Sequence, residues 1–442
     1  RNASPDGWCA AEATSDAIRR VAFAMRFGPP GHVVMVGPAA GLRAQIAVLE
    51  LVDGVRHLAL RADGPDEAMP QLLEAVGRLP TLMSLSIALT DLTECELGPM
   101  LSGLGLVSLE LQDCGLGQEA FDLQLANQTL RVLDLTHNPL AATLGNLELI
   151  RDTIPATVQR LYLGWVRENE PGTLEPLLGV VRRPHALTHL SLAGNDVCME
   201  AGGATLLART LVMQPGLVTL SLCANRIGRR PGEVTAVMRS LRRMSGLRHL
   251  YLNHNAVGDG VDAVGDMAGA LRGKPLVVLQ LNTTLLAFRP RHLPQLSPAL
   301  VTMTALRELH LRDNYIGRHR ADLRALAAGL TGVETLNLGD NLIGRHLYLG
   351  EAMTLLSRLK RLTELDLSRN ILGDEERAEP MHAPPRLQAL RLLDNTIGTG
   401  PADAATVAAL VDCLPRLTSL DISENSLRRP ADMRVIGNAV RQ

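Results

Sequence analysis

Four histidines, His189, His249, His254 and His310, carry side chains that could bind a metal or move a proton. His189 and His249 hold the same place in a recurring pattern, two copies apart. On strands spaced about 4.8 Å they would stand about 10 Å from each other, which one zinc with ligands near 2.1 Å cannot readily span. The six cysteines, Cys9, Cys95, Cys114, Cys198, Cys223 and Cys413, contain no Cys-x-x-Cys pair and no paired framework, which favours reduced thiols. No nucleophile elbow or Ser-His-Asp order appears, and the many carboxylates fall on positions where nothing raises a pKa or excludes water. The residues therefore predict no cofactor, no metal and no catalysis. Binding is what remains. The chain has only ten aromatics, and three of them, Tyr162, Trp165 and Tyr251, fall at predicted exposed positions. Such side chains bury large areas at little entropic cost and often carry binding energy.

These residues are positioned by one phrase, L-x-x-L-x-L-x-x-N, clearest in Leu217 to Gly228, LVTLSLCANRIG. Its leucines alternate with small polar residues, so a short strand points apolar groups one way and polar groups the other. The Asn at the ninth position ends the strand, and its amide can both donate to and accept from neighbouring turns. One such unit cannot bury its leucines alone, so copies must stack. Fourteen copies begin at Val55, Leu82, Leu106, Leu130, Val158, Leu187, Leu217, Leu247, Leu276, Leu306, Val333, Leu362, Leu387 and Leu417, and are numbered one to fourteen here. Nine keep the Asn. Asp63, Thr90, Cys114 and Thr284 replace it with groups that can still bond the backbone; Val166 cannot.

The chain resembles leucine-rich repeat proteins, and its spacing of mostly 27 to 30 residues resembles their ribonuclease-inhibitor-like subclass. Asn195-Asp196-Val197 followed by Gly203 to Ala208 fits that subclass's helical half, as does Asn255-Ala256-Val257 followed by Met267, Ala268, Ala270 and Leu271. The resemblance covers roughly residues 55 to 430. It implies an α/β fold, a horseshoe-shaped solenoid with a parallel sheet on the concave face and helices on the convex one. It also implies a protein-interaction scaffold. The arginine-rich, lysine-poor coding, 42 Arg against 2 Lys, and the Gly203 to Ala208 stretch are similar to those of repeat effectors that pathogenic bacteria deliver into host cells. The alternative is a ligand-sensing or substrate-recruiting part of a larger receptor, ubiquitin ligase or small-GTPase regulator. The place of action follows: cytoplasmic, or inside a host cell after secretion.

Residues three and five of each motif project from the sheet, and seven and eight lie on its rim. Repeats five to eight then show Arg160, Tyr162, Trp165, His189, Ser191, Ser221, His249, Tyr251 and His254. Repeats ten to fourteen show Glu308, His310, Arg312, Asp313, Asp340, Glu364, Asp366, Arg391, Asp394, Asp421 and Glu424, with eight carboxylates against Arg312, Arg369 and Arg391. A protein partner is expected at Tyr162, Trp165, His189, His249, Tyr251, His254, His310, Arg312 and Asp366. Against it stands the plainer reading that the aromatics only cover small neighbours such as Ser191, Ala193 and Ser221.

The 442 residues need not form separate domains, because a solenoid grows by adding neighbours. A net charge of -2 offers no bulk attraction to nucleic acid or membrane, and no run approaches the roughly 18 apolar residues of a membrane span. Residues 1–54 read as an N-terminal helical cap and degenerate first repeat, with Ile18, Val21, Ala22 and Met25 on one helix face and His32 to Val36 as a degenerate strand; 431–442 read as a C-terminal helix or cap. Gly28 to Arg43 lacks the Lys and hydroxyl of a phosphate loop. Three repeats break the rule. Repeat five puts Val166 in the Asn place and follows it with a polar loop, Arg167 to Gly172. Repeat nine carries Pro290, Pro294 and Pro298, which predict no long helix. Repeat twelve carries Pro380, Pro384 and Pro385 and should have a loop back.

Overall fold

The computed structural model describes residues 32–37, 42, 55–62, 69–117, 123, 125, 129–142, 144–167, 171–184, 186–260, 262–373, 381–427 and 430–440. The expected N-terminal helix, Trp8, Cys9 and most of the Gly28 to Arg43 stretch lie outside them. The chain forms two compact units: residues 1–217 with 221–223, and residues 218–220 with 224–442.

In the first unit, β1 (His32–Gly37), β2 (His57–Ala62), β3 (Ser84–Ala88), β4 (Ser108–Gln112), β5 (Val132–Asp134), β6 (Arg160–Tyr162) and β7 (His189–Ser191) pair in parallel, each with the next. β8 (Thr219–Ser221) divides between the units. In the second unit, β9 (His249–Tyr251), β10 (Val278–Gln280), β11 (Glu308–His310), β12 (Thr335–Asn337), β13 (Glu364–Asp366), β14 (Ala389–Arg391) and β15 (Ser419–Asp421) do the same.

Register follows from the leucines. Leu133, Leu161 and Leu190 are direct partners in the first unit, as are Leu309, Leu336, Leu365 and Leu390 in the second, all nearly without exposure. Each contributes about 1.5–3 kcal/mol by leaving water. A one-residue slip would turn the whole apolar set outward.

Two devices close each repeat. Oδ1 of Asn341 accepts from the amides of Asn314 and Ile316 at 2.8 and 3.2 Å, while its Nδ2 donates to the carbonyls of Leu311, Leu338 and Gly339. Asn255, Asn370 and Asn395 likewise accept from two amides of the repeat before. The buried Asn is thus a staple between neighbours. Cys114, in the Asn place of repeat three, sits fully buried and points its thiol at the carbonyls of Ile87 and Gln112, 3.4 Å away. Burial pushes that thiol up to about 12, which makes it inert at neutral pH.

The second device is the residue before the Asn. From repeat two to repeat fourteen its φ lies between 51° and 69°, a left-handed turn that aims the Asn into the core. Asp and His, common there, tolerate it; Leu89 and Trp165 are bulkier exceptions. Glycine at the twelfth position has a different cause. A Cβ on Gly317 would lie 2.0 Å from the carbonyl oxygen of Leu342.

Helices line the other side. Ala204, Leu207 and Leu211 bury one face of Gly203–Val212, a 3.6-residue rhythm. Repeat nine corrects the sequence reading: His292–Thr302 is helical over eleven residues despite Pro294 and Pro298. Pro294 falls in the first turn, where an amide has no helical acceptor. Both prolines face solvent, and Leu293, Leu296, Ala299 and Leu300 hold the inner face. The first repeat also has a full helix, Met69–Gly77. Pro430–Val440 is a helix that follows the last strand. In repeat twelve residues 374–380 are outside the described set, and residues 381–386 form no helix.

Candidate functional site

Third and fifth positions face outward along the sheet and, except for buried Asp134 and Val278, are half-buried or exposed, while fourth positions are buried in every repeat but the last. In the first unit this face is built around repeat five. Tyr162 lies in register between Asp134 and Ser191, and Arg160 between Val132 and His189. Trp165, on its left-handed turn, stacks on the His137 ring at 4.7 Å with the planes 10° apart. On its other side Gly194 makes the room: a Cβ there would meet the indole Nε1 at 2.3 Å.

Beside Tyr162 in register, and buried, is Asp134. Its Oδ2 accepts from Gln112 Nε2 at 2.6 Å and its Oδ1 from the Thr136 amide at 2.9 Å. Burial pushes this carboxyl up to about 6, against those hydrogen bonds. Burial also lowers the pKa of His137, whose Nε2 is buried without a hydrogen-bond partner. His189 holds Nδ1 2.9 Å from the Thr188 hydroxyl.

The polar loop after Val166 corrects the sequence reading, because its first residue is core. Arg167 is only 4% exposed. It donates from Nε to the Thr173 hydroxyl at 2.7 Å, from Nη1 to the carbonyls of Asn195 and Asp196, and from Nη2 to Glu200. Asn195 still accepts the Val166 amide, at 3.1 Å. Val166 itself offers only its backbone carbonyl, to Ala141 at 3.0 Å.

In the second unit the fifth positions run Tyr251, Gln280, His310, Asn337, Asp366, Arg391 and Asp421 in direct register. His249 places Nδ1 3.0 Å from the Thr219 hydroxyl. Asn253 donates to Gln280 at 2.8 Å and accepts from the Asn282 amide, and Asn282 accepts from the Arg312 amide. The Arg312 guanidinium is spent on Asp340 at 2.7 Å. Burial lowers the pKa of His310, opposed by Glu308, Asp366 and Glu364. Asp366 accepts from the Ser368 amide, and His254 sits half-buried on the left-handed turn of its repeat.

The structure therefore brings Tyr162 and Trp165 together on one repeat, with His189 in the next. It groups His249, Tyr251 and His254 on repeat eight, with His310 two strands on. Arg312 and Asp366 are tied into local bonds. Sequence reasoning missed Asp134, Gln112, His137 and Arg167. A carboxylate at the fifth position directly before the aromatic of repeat five was the available signal for Asp134. Among the described residues, no group of three or more His, Cys, Asp or Glu is placed to hold a metal ion.

A family model described as "Leucine Rich repeat" matches residues 126–143. No curated protein matches the chain. Among solved structures it is similar to the leucine-rich repeat-containing protein LegL7 from Legionella pneumophila, at 18% identity over 81% of this chain and 97% of that one, with a TM-score of 0.45. It is also similar to a leucine-rich repeat protein of Leptospira interrogans, at 18% identity over 89% of this chain and 90% of that one, TM-score 0.42. TLR13 in its complex with ssRNA13 is 17% identical over 89% of this chain and 50% of that one, TM-score 0.46. With its motif repeated fourteen times, the paired strands parallel within each unit and the family model matched within it, the chain has a leucine-rich repeat fold.

Proposed function

We propose that this chain is a protein-interaction scaffold and that the sheet face around repeat five in its first unit anchors a partner protein. One observation carries the reading: Tyr162 and Trp165 stand half-exposed beside each other on an open strand face, and the ring of Trp165 is held between His137 and Gly194. An aromatic already fixed in place loses little entropy when a partner covers it. The same packing is what a purely structural role would use, so the test must separate the two. Retention of a protein by the wild type, and its loss by an equally stable Tyr162→Ala/Trp165→Ala variant, supports the anchor. Equal retention by both, with matched melting temperatures, moves the interface off repeat five. His189 belongs to the same proposed surface. His249, Tyr251, His254, His310, Arg312 and Asp366 form a separate proposed surface on the second unit, for which Tyr251→Ala is the matching variant.

In its finer form the proposal has the scaffold acting in a host cell as a bacterial effector. Its support is compositional, the excess of arginine over lysine, and a translocation reporter fused to the chain tests it. The competing form is a recognition part of a larger receptor, ligase or GTPase regulator. A catalytic or nucleotide-binding segment in the same gene would decide for that form.

A further inference from the structure

Six of the ten aromatics belong to the described residues, and they fall into two groups. Tyr162, Trp165 and Tyr251 lie on sheet faces. Phe288, Tyr315 and Tyr348 all lie elsewhere, on the loops that lead from strand to helix in repeats nine, ten and eleven of the second unit. Phe288 and Tyr348 are 37% and 49% exposed.

Arginines surround them. Phe288, Arg318 and Arg345 hold the same motif position in the three repeats, and the Arg318 guanidinium sits 4.8 Å over the Phe288 ring. Tyr315 meets that ring edge-on at 5.8 Å. Arg289 is tied to Asp259, but no ion pair within the described residues engages Arg291, Arg318, Arg320 or Arg345. In sequence the basic stretch ends at Asp374, Glu375 and Glu376 of repeat twelve. Beside the loops, a cleft of about 580 Å³ is floored by Ala321, Leu347 and Leu355, with Arg320 and Arg324 among its lining.

We propose that this loop edge is a docking surface for an anionic phospholipid bilayer, with the arginines on the phosphates and Phe288 and Tyr348 at headgroup depth. Unpaired cations interleaved with exposed aromatics match the charge and polarity gradient of a membrane surface. Single-stranded nucleic acid needs free ring faces for base stacking; here Arg318 covers one face of Phe288 and Tyr315 its edge. Binding is peripheral, since no helix among the described residues is long and apolar enough to cross a membrane.

The test is co-sedimentation of the full chain with vesicles of phosphatidylcholine alone and with roughly a third phosphatidylserine. The wild type binds the anionic vesicles, less so at high salt, and ignores the neutral ones. Each arginine near the surface is worth about fivefold in partitioning, so Arg318→Ala/Arg320→Ala/Arg345→Ala loses about a hundredfold. Phe288→Ser/Tyr348→Ser keeps the salt-sensitive part and loses the remainder. Equal binding to both vesicle types overturns the proposal, as does full binding by the folded triple variant. Capture of a single-stranded oligonucleotide in place of vesicles overturns it as well.

Discussion

Repeats ten to thirteen are joined by neutral amides, whereas repeat five adds a charged joint to the next repeat. In the former, each turn receives a neutral amide from the repeat that follows: Asn341 serves Asn314 and Ile316, Asn370 serves Asn341 and Ile343, and Asn395 serves Asn370 and Leu372. Repeat five receives the Asn195 amide in the same way, but Val166 has no amide to offer repeat four, and Arg167 adds a charged contact forward to the carbonyls of Asn195 and Asp196 and to Glu200. An amide satisfies donors and acceptors without charge, so it can recur without electrostatic cost. A buried guanidinium needs a carboxylate and several acceptors at once. Among the described residues no other arginine is buried, and next to Arg167 the chain turns through Trp165.

The largest expected effect comes from cutting the neutral staple. Asn341→Ala orphans the buried amides of Asn314 and Ile316. At about 1–3 kcal/mol for each unsatisfied group, the second unit should lose about 4 kcal/mol, read as a fall in its melting transition. Arg167→Ala should cost less, about 2–3 kcal/mol, because Glu200 is partly exposed and can be rehydrated once it is left alone. If the arginine proves the costlier of the two, the charged solution is the stronger joint, and the contrast drawn above reverses.

Most of this architecture was written in the leucine and asparagine spacing. The places where the reading fell short share a cause, which is that spacing reports side-chain alternation and says little about backbone hand. Trp165 was expected to project at the rim. Its left-handed φ of 51° lays the ring flat on His137 instead. Arg167 looked like the start of a polar loop, because a charged residue after a strand is usually solvated; only the three-dimensional arrival of Glu200 and Thr173 makes its burial tolerable. The prolines of repeat nine predicted no long helix, and the structure forms one, because their outward orientation is invisible in a list of residues. Tyr162, His189 and Tyr251 were found where the period-two rule placed them.

Gly194→Ala tests whether repeat five's aromatic depends on its neighbour's missing side chain. The new Cβ would sit 2.3 Å from the indole in a backbone with φ of +69°, so a strain of about 1–2 kcal/mol is expected. More telling is the ring itself: Trp165 must leave His137, and its fluorescence maximum should shift to the red. An unchanged spectrum, compared with a Trp8→Phe background that isolates Trp165, would mean that the stack on His137 tolerates the extra methyl and that Gly194 is not what seats it.

The smallest effect is expected at Asp134, and its sign differs from the others. Burial raises this carboxyl from 3.8 to about 6 in the folded state, so the folded chain holds the proton more tightly than the unfolded one. Its contribution is therefore most favourable below about pH 4 and is lost progressively as the pH rises to about 6. Above that, the ionised carboxylate costs up to about 3 kcal/mol at 1.36 kcal/mol per pH unit. Asp134→Asn keeps an acceptor for the Thr136 amide and presents a donor to Gln112, whose own amide must turn over to receive it. That turn offsets part of the relief, leaving a gain of about 1 kcal/mol near pH 8 and none near pH 4. Denaturant titrations at the two pH values decide it. A gain that is equal at both would place the benefit in packing, whereas a gain confined to the higher pH would mark Asp134, beside Tyr162 in register, as a carboxyl whose burial costs stability once it ionises.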